Sequence, residues 1–179
     1  MMKQHLKIVI VGPPKSGKTT FADLVCSDPK KEKEKSQRRA YEPTLCRILE
    51  TVALDGIKIE MWDIGGSSDH EHLWKPIMQG IDADGKASDT RVDGVIIVLD
   101  NDQKNHYQEA LLWYNKFVRE CNVPDKCCMV LCRSREGKNR SGVPRQLQGC
   151  RVHGTSLVDG EEAKLFVEDF VNDIVTMRQ

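Results

Sequence analysis

Gly12-Pro13-Pro14-Lys15-Ser16-Gly17-Lys18-Thr19 has the residue types and spacing of a phosphate cradle, G-x-x-x-x-G-K-T. Gly12 and Gly17 let the backbone bend round an anion, and amides along the loop can point at phosphate oxygens. Lys18 supplies a point charge to the terminal phosphates, and Thr19 supplies a hydroxyl to Mg²⁺. Phosphate binding is therefore assigned to Gly12, Pro14, Lys15, Ser16, Gly17, Lys18, Thr19 and Thr20. The two prolines stiffen the loop and remove two amide donors. Pro14 falls where the attacked phosphorus and its water would sit, so its ring would hinder the water or an incoming arginine. Two further stretches carry matching chemistry. Trp62-Asp63-Ile64-Gly65-Gly66 follows an apolar run, so Asp63 at a strand end can hold the metal. Gly66 can bring its amide to a γ-phosphate with no side chain in the way. Tyr41-Glu42-Pro43-Thr44 puts a hydroxyl residue in a proline-stiffened loop just before a strand.

These groups need a sheet whose strand ends bring them together. Lys7–Val11 reads as a buried strand and Lys18–Ser27 as the helix after the loop. Arg47–Leu54 and Ile57–Trp62 read as strands joined by Asp55-Gly56, a strong hairpin signal that makes this pair antiparallel. Residues 70–80 suit a short helix, broken by Pro76 and ended at Gly80. Gly94–Leu99 and Cys127–Cys132 are buried strands, and Cys150–His153 is a last short one. Gln103–Cys121 has helical spacing, with Tyr107, Ala110, Leu111, Tyr114, Phe117, Val118 and Cys121 on one side. Glu161–Met177 is an amphipathic closing helix, whereas residues 137–149 have no apolar periodicity. Strands alternating with helices specify an α/β fold with a mostly parallel, doubly wound sheet and one antiparallel edge strand. The helix between the last two strands is weakened or absent. Residues 1–179 form a single domain, with a charged, exposed insertion at 28–40 and a loop insertion at 82–94.

Composition narrows the partners. The formal charge is zero, with 30% charged and 39% hydrophobic residues, an ordinary balance that favours neither nucleic acid nor an anionic membrane. Seven cysteines, an odd number set mostly in apolar segments, suit reduced core thiols in the cytosol. No signal peptide and no membrane-spanning run is read, so a soluble intracellular protein is expected.

The chain resembles the Ras-like small GTPases through G-P-P-K-S-G-K-T, the Thr44 loop and W-D-I-G-G. The resemblance implies a P-loop G domain that binds GTP or GDP with Mg²⁺. Tyr41, Pro43 and Thr44 would then lie in switch I, and the segment from Asp63 to about Gly80 would be switch II. Thr19, Thr44 and Asp63 would hold the metal, and Gly66 the γ-phosphate. Base contacts would come from Ser134, Arg135 and Glu136 after the fifth strand, and from Thr155, Ser156 and Leu157 after the last.

The sequence departs from that pattern in three places. Ser67 stands where the family places a water-orienting Gln, so intrinsic hydrolysis should be slow and no catalytic residue is assigned. The N-K-x-D motif is replaced by Ser134-Arg135-Glu136-Gly137, which weakens base recognition. The last cysteine is Cys150, so no direct lipid anchor is expected.

The double proline, W-D-I-G-G without Gln, L-L-W-Y-N-K-F-V at 111–118 and V-H-G-T-S-L-V-D-G-E-E at 152–162 together resemble one branch. It is the Rab-like small GTPases of the intraflagellar transport B particle. That likeness implies a cytoplasmic protein of the cilium or flagellum and its base, docked on coiled-coil subunits, with the switch face or the flank near 137–149 meeting them. The alternatives are an active GTP hydrolase needing a helper protein, a pseudo-GTPase scaffold that binds no nucleotide, and a P-loop kinase lacking a lid.

Overall fold

The computed structural model describes residues 5–26, 46–52, 56–80, 91–135 and 143–178. Six strands form one sheet in the order β2-β3-β1-β4-β5-β6. They are β1 (His5–Val11), β2 (Cys46–Val52), β3 (Lys58–Ile64), β4 (Gly94–Asp100), β5 (Cys128–Arg133) and β6 (Arg151–Thr155). β2 runs antiparallel to β3, with Cys46 opposite Ile64 and Val52 opposite Lys58, and every other neighbour is parallel. Gly56 turns the chain into β3 at a φ of +75°, a left-handed conformation that glycine adopts without strain. Asp55, the other half of the expected hairpin turn, lies outside the described residues, as do both insertions apart from Arg91–Gly94.

The period-2 alternation of the strands splits the core into two layers. On one face Val9, Val95, Ile97 and Val130 meet Trp74, Trp113, Tyr114 and Phe117, from α2 (Glu71–Met78), α3 (His106–Tyr114) and the turn after it. On the other face Ile8, Ile10, Met61, Ile96 and Leu131 meet Phe21 of α1 (Lys18–Cys26) and Val167, Phe170 and Val171 of α4 (Gly160–Met177). Asp159 caps α4, accepting from the amides of Glu161 and Glu162. Among the described residues between β5 and β6, one short 3₁₀ turn, Arg145–Leu147, takes the place of a helix.

Two expectations need correction. Pro76 does not break the short helix: α2 runs through it to Met78, and Gly80 then turns out at a φ of +77°. Proline costs one hydrogen bond there, and the burial of Trp74, Ile77 and Met78 on the core outweighs it. The helix expected over Gln103–Cys121 is shorter and not uniform, because α3 ends in a π-helical turn at Asn115–Arg119. Within α3 Trp113 is inside, whereas Tyr107, expected on the buried side, remains 43% exposed. Trp113 then stacks on Phe117 at 5.5 Å, and the Tyr114 hydroxyl donates to Asp125 at 2.7 Å.

Candidate functional site

The loop between β1 and α1 has the dihedrals of a cradle. Gly12 has a φ of +146°, Lys15 of +62° and Gly17 of +107°. A side chain at Gly12 would lie 2.2 Å from the carbonyl oxygen of Val98 on β4, so the close approach of two strand ends requires glycine. Lys18 is 6% exposed, and its ammonium donates to the carbonyls of Gly12 at 2.9 Å and Pro13 at 2.8 Å. Burial brings this group down to about 8, against the pull of Asp63. Ser16 is buried, with no hydrogen-bond partner for its hydroxyl oxygen, while Pro14, Lys15 and Thr20 are exposed. Pro13, Pro14, Lys15 and Ser16 also line a cleft of about 380 Å³ together with Asp100, His106 and Glu109.

The parallel pairing of β1 with β3 carries Asp63 to the start of α1, where the Thr19 hydroxyl donates to Asp63 Oδ2 at 2.7 Å. Asp63 Oδ1 is buried and has no partner. Burial pushes this carboxyl up, and the Thr19 hydroxyl, Lys18 and Arg47 oppose that shift. A hydroxyl beside a carboxylate with a spare buried oxygen is an all-oxygen donor set of the kind Mg²⁺ takes. Thr19 and Asp63 therefore fit the metal, which would supply positive charge to bound phosphates.

Gly66 packs directly on the cradle: a Cβ there would lie 2.2 Å from Gly12 O and 2.9 Å from Pro14 N. The preceding peptide is held by Trp74, whose indole N–H donates to Gly65 O at 3.2 Å. Ser67 starts the 3₁₀ turn Ser68–His70, and its hydroxyl accepts from the Asp69 amide at 3.3 Å.

At the base end, the Ser134 amide donates to Thr155 O at 3.0 Å, and the Arg135 amide to Asp102 Oδ2 at 3.1 Å. The Thr155 hydroxyl is committed, donating to Glu162 at 2.9 Å and accepting from Leu157 N at 3.1 Å. Ser156 follows directly, half-buried. Leu157 then reaches the cradle, with Cδ1 2.6 Å from where a Cβ on Gly17 would be. The fold thus gathers Gly12–Thr20, Asp63, Gly66, Ser134, Arg135 and Thr155–Leu157 at one end of the sheet. Tyr41, Pro43, Thr44 and Glu136 lie outside the described residues.

Three side chains escape a reading by motif, two at this end and one toward the opposite end of β1. Trp74 anchors Gly65, and Arg133 reaches the cradle from β5. Lys7 is fully buried, with its ammonium 3.8 Å from the Trp62 ring and donating to Ile77 O at 3.3 Å. The signal for Lys7 was its charge at the head of an otherwise apolar strand.

The doubly wound sheet, the glycine cradle after its first strand and an aspartate at the end of β3 define the class, a Ras-like P-loop G domain. The model of the ADP-ribosylation factor family matches residues 1–140. A Rattus norvegicus intraflagellar transport protein 22 homolog is 30% identical, over 94% of this chain and 89% of its own. The GTP-bound crystal structure of Trypanosoma brucei IFT22/74/81 superposes with a TM-score of 0.70 at 31% identity, covering 98% of this chain and 97% of that one. The GDP-bound T. brucei IFT22 structure gives 0.69 at 26% identity, covering 98% and 99%. This chain belongs to the ADP-ribosylation factor family of Ras-like small GTPases, and its relatives include intraflagellar transport 22 proteins.

Proposed function

We propose that this chain binds GTP and GDP with Mg²⁺ and serves intraflagellar transport as a small GTPase-like subunit, with little hydrolysis of its own. The carrying observation is the Thr19–Asp63 bond beside a spare buried carboxylate oxygen, which joins the phosphate half of the site to the metal half. Phosphates would rest on Gly12–Thr20 and Gly66, and the metal on Thr19, Asp63 and Thr44. The base would lie against Ser134–Glu136 and Thr155–Leu157. The T. brucei relative crystallised GTP-bound as IFT22/74/81 supports a transport-particle role here, and we assign the docking to coiled-coil subunits of the B particle. The whole chain reads as one G domain acting in the cilium or flagellum and at its base, brought there by its partner subunits. Among the described residues no helix is long and apolar enough to cross a membrane.

The test is to identify the nucleotide that accompanies the purified chain, then titrate labelled GTP, GDP and ATP with Mg²⁺. Tight guanine-nucleotide binding with negligible turnover is expected. Rapid unaided turnover would favour an active hydrolase, and no binding of any nucleotide would leave a scaffold that partners recognise by its fold. Mixing the chain with coiled-coil B-particle subunits, with each nucleotide and with none, tests the docking.

A further inference from the structure

We infer that Arg133 is a positioning residue of the phosphate cradle, pinning the Lys15 carbonyl so that the loop keeps the shape that receives a nucleoside diphosphate or triphosphate. The inference rests on the nucleotide binding proposed above. Arg133 is the last residue of β5, and its Nη1 donates to Lys15 O at 3.5 Å. The same nitrogen lies 3.8 Å from Asp100 Oδ2 at the end of β4. Its stem runs along the cradle, since a Cβ on Gly17 would lie 3.2 Å from Arg133 Cδ. One side chain thus touches the loop, the second glycine of the motif and the neighbouring strand end.

The root of that side chain is fixed by the backbone around it. The Asn101 amide donates to Arg133 O at 2.8 Å, and the Ser134 and Arg135 amides are both bonded. Asp100 is set in turn, with Oδ1 accepting from the Asp102 amide at 3.0 Å. A planar guanidinium with several donors can serve a carbonyl and a carboxylate together, which a lysine ammonium does less well.

What Arg133 holds is the strained point of the loop. Lys15 is a non-glycine residue at a φ of +62°, a conformation that L-residues adopt only when their surroundings enforce it. The peptide after it is planar and trans, so a carbonyl turned toward Arg133 turns the Ser16 amide the opposite way. That amide meets Pro13 O at 3.3 Å, the same carbonyl that Lys18 holds at 2.8 Å. Arg133 and Lys18 therefore fix the two ends of one short stretch. With Pro13 and Pro14 unable to donate, the orientation of the remaining amides counts for more in holding phosphate.

The test compares release of fluorescent GDP from the full chain, with Mg²⁺, in wild type, Arg133→Ala and Arg133→Lys, alongside nucleotide-free melting temperatures. Loss of a charge-assisted tie should speed release about tenfold in Arg133→Ala. Arg133→Lys should recover part of it, with the melting temperatures unchanged. Unchanged release in Arg133→Ala overturns the inference, as does a faster release matched by a lower melting temperature in both variants. If Arg133→Ala does not fold, Asp100→Asn, which removes the charge orienting the guanidinium, must speed release, and an unchanged rate again overturns it. A wild type that binds no nucleotide removes the parent reading as well, whereas normal wild-type binding with an indifferent Arg133→Ala removes this inference alone.

Discussion

The Thr19 hydroxyl donates a 2.7 Å hydrogen bond to Asp63 Oδ2, tying the first turn of α1 to the C-terminal end of β3. Burial disfavours charge on Asp63, and the Thr19 hydroxyl is the largest of the contacts that oppose this. A divalent cation would favour that charge further. Chelating Mg²⁺ should therefore speed GDP release from the wild type by about tenfold or more, from the loss of a charged contact. In Thr19→Ala, release should already be fast and chelator should add little. A wild type indifferent to chelator in a stopped-flow release experiment would remove the metal assignment.

Lys18 gives the site a pH signature. Its folded-state value of about 8 lies below the ordinary 10.5, so between those limits the unfolded chain binds more proton. For this group alone, stability rises with pH across that window. Nucleotide binding has the opposite sign, because phosphate favours the ammonium and draws a proton in. Affinity should fall as pH rises past about 8, where binding takes up about half a proton. Calorimetric titration in two buffers of different ionisation heat measures that uptake. Lys18→Met should abolish it, and a wild type with no uptake would mean that the lysine does not meet the phosphate.

Gly66 lies against the cradle so closely that even a methyl group must displace backbone, 2.2 Å from Gly12 O. Gly66→Ala should lower stability by about 1–3 kcal/mol, the usual cost of overpacking. It should also erase any preference for GTP over GDP, because the amide that would sense the γ-phosphate is pushed away. Thermal melting and paired titrations check both effects. A variant that melts like the wild type and still separates the two nucleotides would show that the contact is not needed.

The legible part of this protein is what repeats or punctuates. The apolar strands, the glycine spacing at Gly12 and Gly17, and Asp63 at a strand end all stand in the sequence with the fold they require. The hidden parts depend on three-dimensional coincidence. Arg133 meets Lys15 across 118 positions of chain, and nothing local in β5 announces where a long side chain will reach. The π-helical turn after α3 is hidden because aromatic and apolar residues crowd 110–118 densely enough to suit a regular helix as well. Pro76 misled because its local cost is visible in the sequence and the burial of Trp74 and Ile77 that offsets it is not. Base recognition is the least legible, since Arg135 is placed by its backbone bond to Asp102 rather than by a motif.

Lys7 couples the sheet to α2. Its ammonium is fully buried, stacked on Trp62 at 3.8 Å and donating to Ile77 O at 3.3 Å, with burial lowering its proton affinity. Lys7→Met keeps the volume and removes both the charge and the tie. Overall stability should change by less than about 1.5 kcal/mol, because the cost of burying a cation disappears with the contacts it made. The amides of Gln79 and Gly80, which bond to the last turn of α2, should exchange with deuterium faster. Unchanged exchange there would mean that the buried aromatic packing of Trp74 alone holds the helix.

On the proposed function, Ser67 would set how long a bound triphosphate survives. Its carbonyl accepts from the His70 amide at 3.1 Å and its hydroxyl from the Asp69 amide at 3.3 Å, so the residue is used in opening the turn. The hydroxyl keeps its own proton and a lone pair, but the side chain is shorter than a glutamine and cannot reach a water in line with a γ-phosphate as a Gln amide would. Single-turnover GTP hydrolysis should run at or below about 10⁻⁴ s⁻¹, the range of an unassisted small GTPase. Ser67→Gln should raise it about tenfold by supplying an amide that reaches the water. If Ser67→Gln alone does nothing, the Pro14 ring is the second obstacle, and adding Pro14→Gly must then release the rate. A wild type that turns over GTP quickly by itself would overturn the reading of this protein as a slow hydrolase.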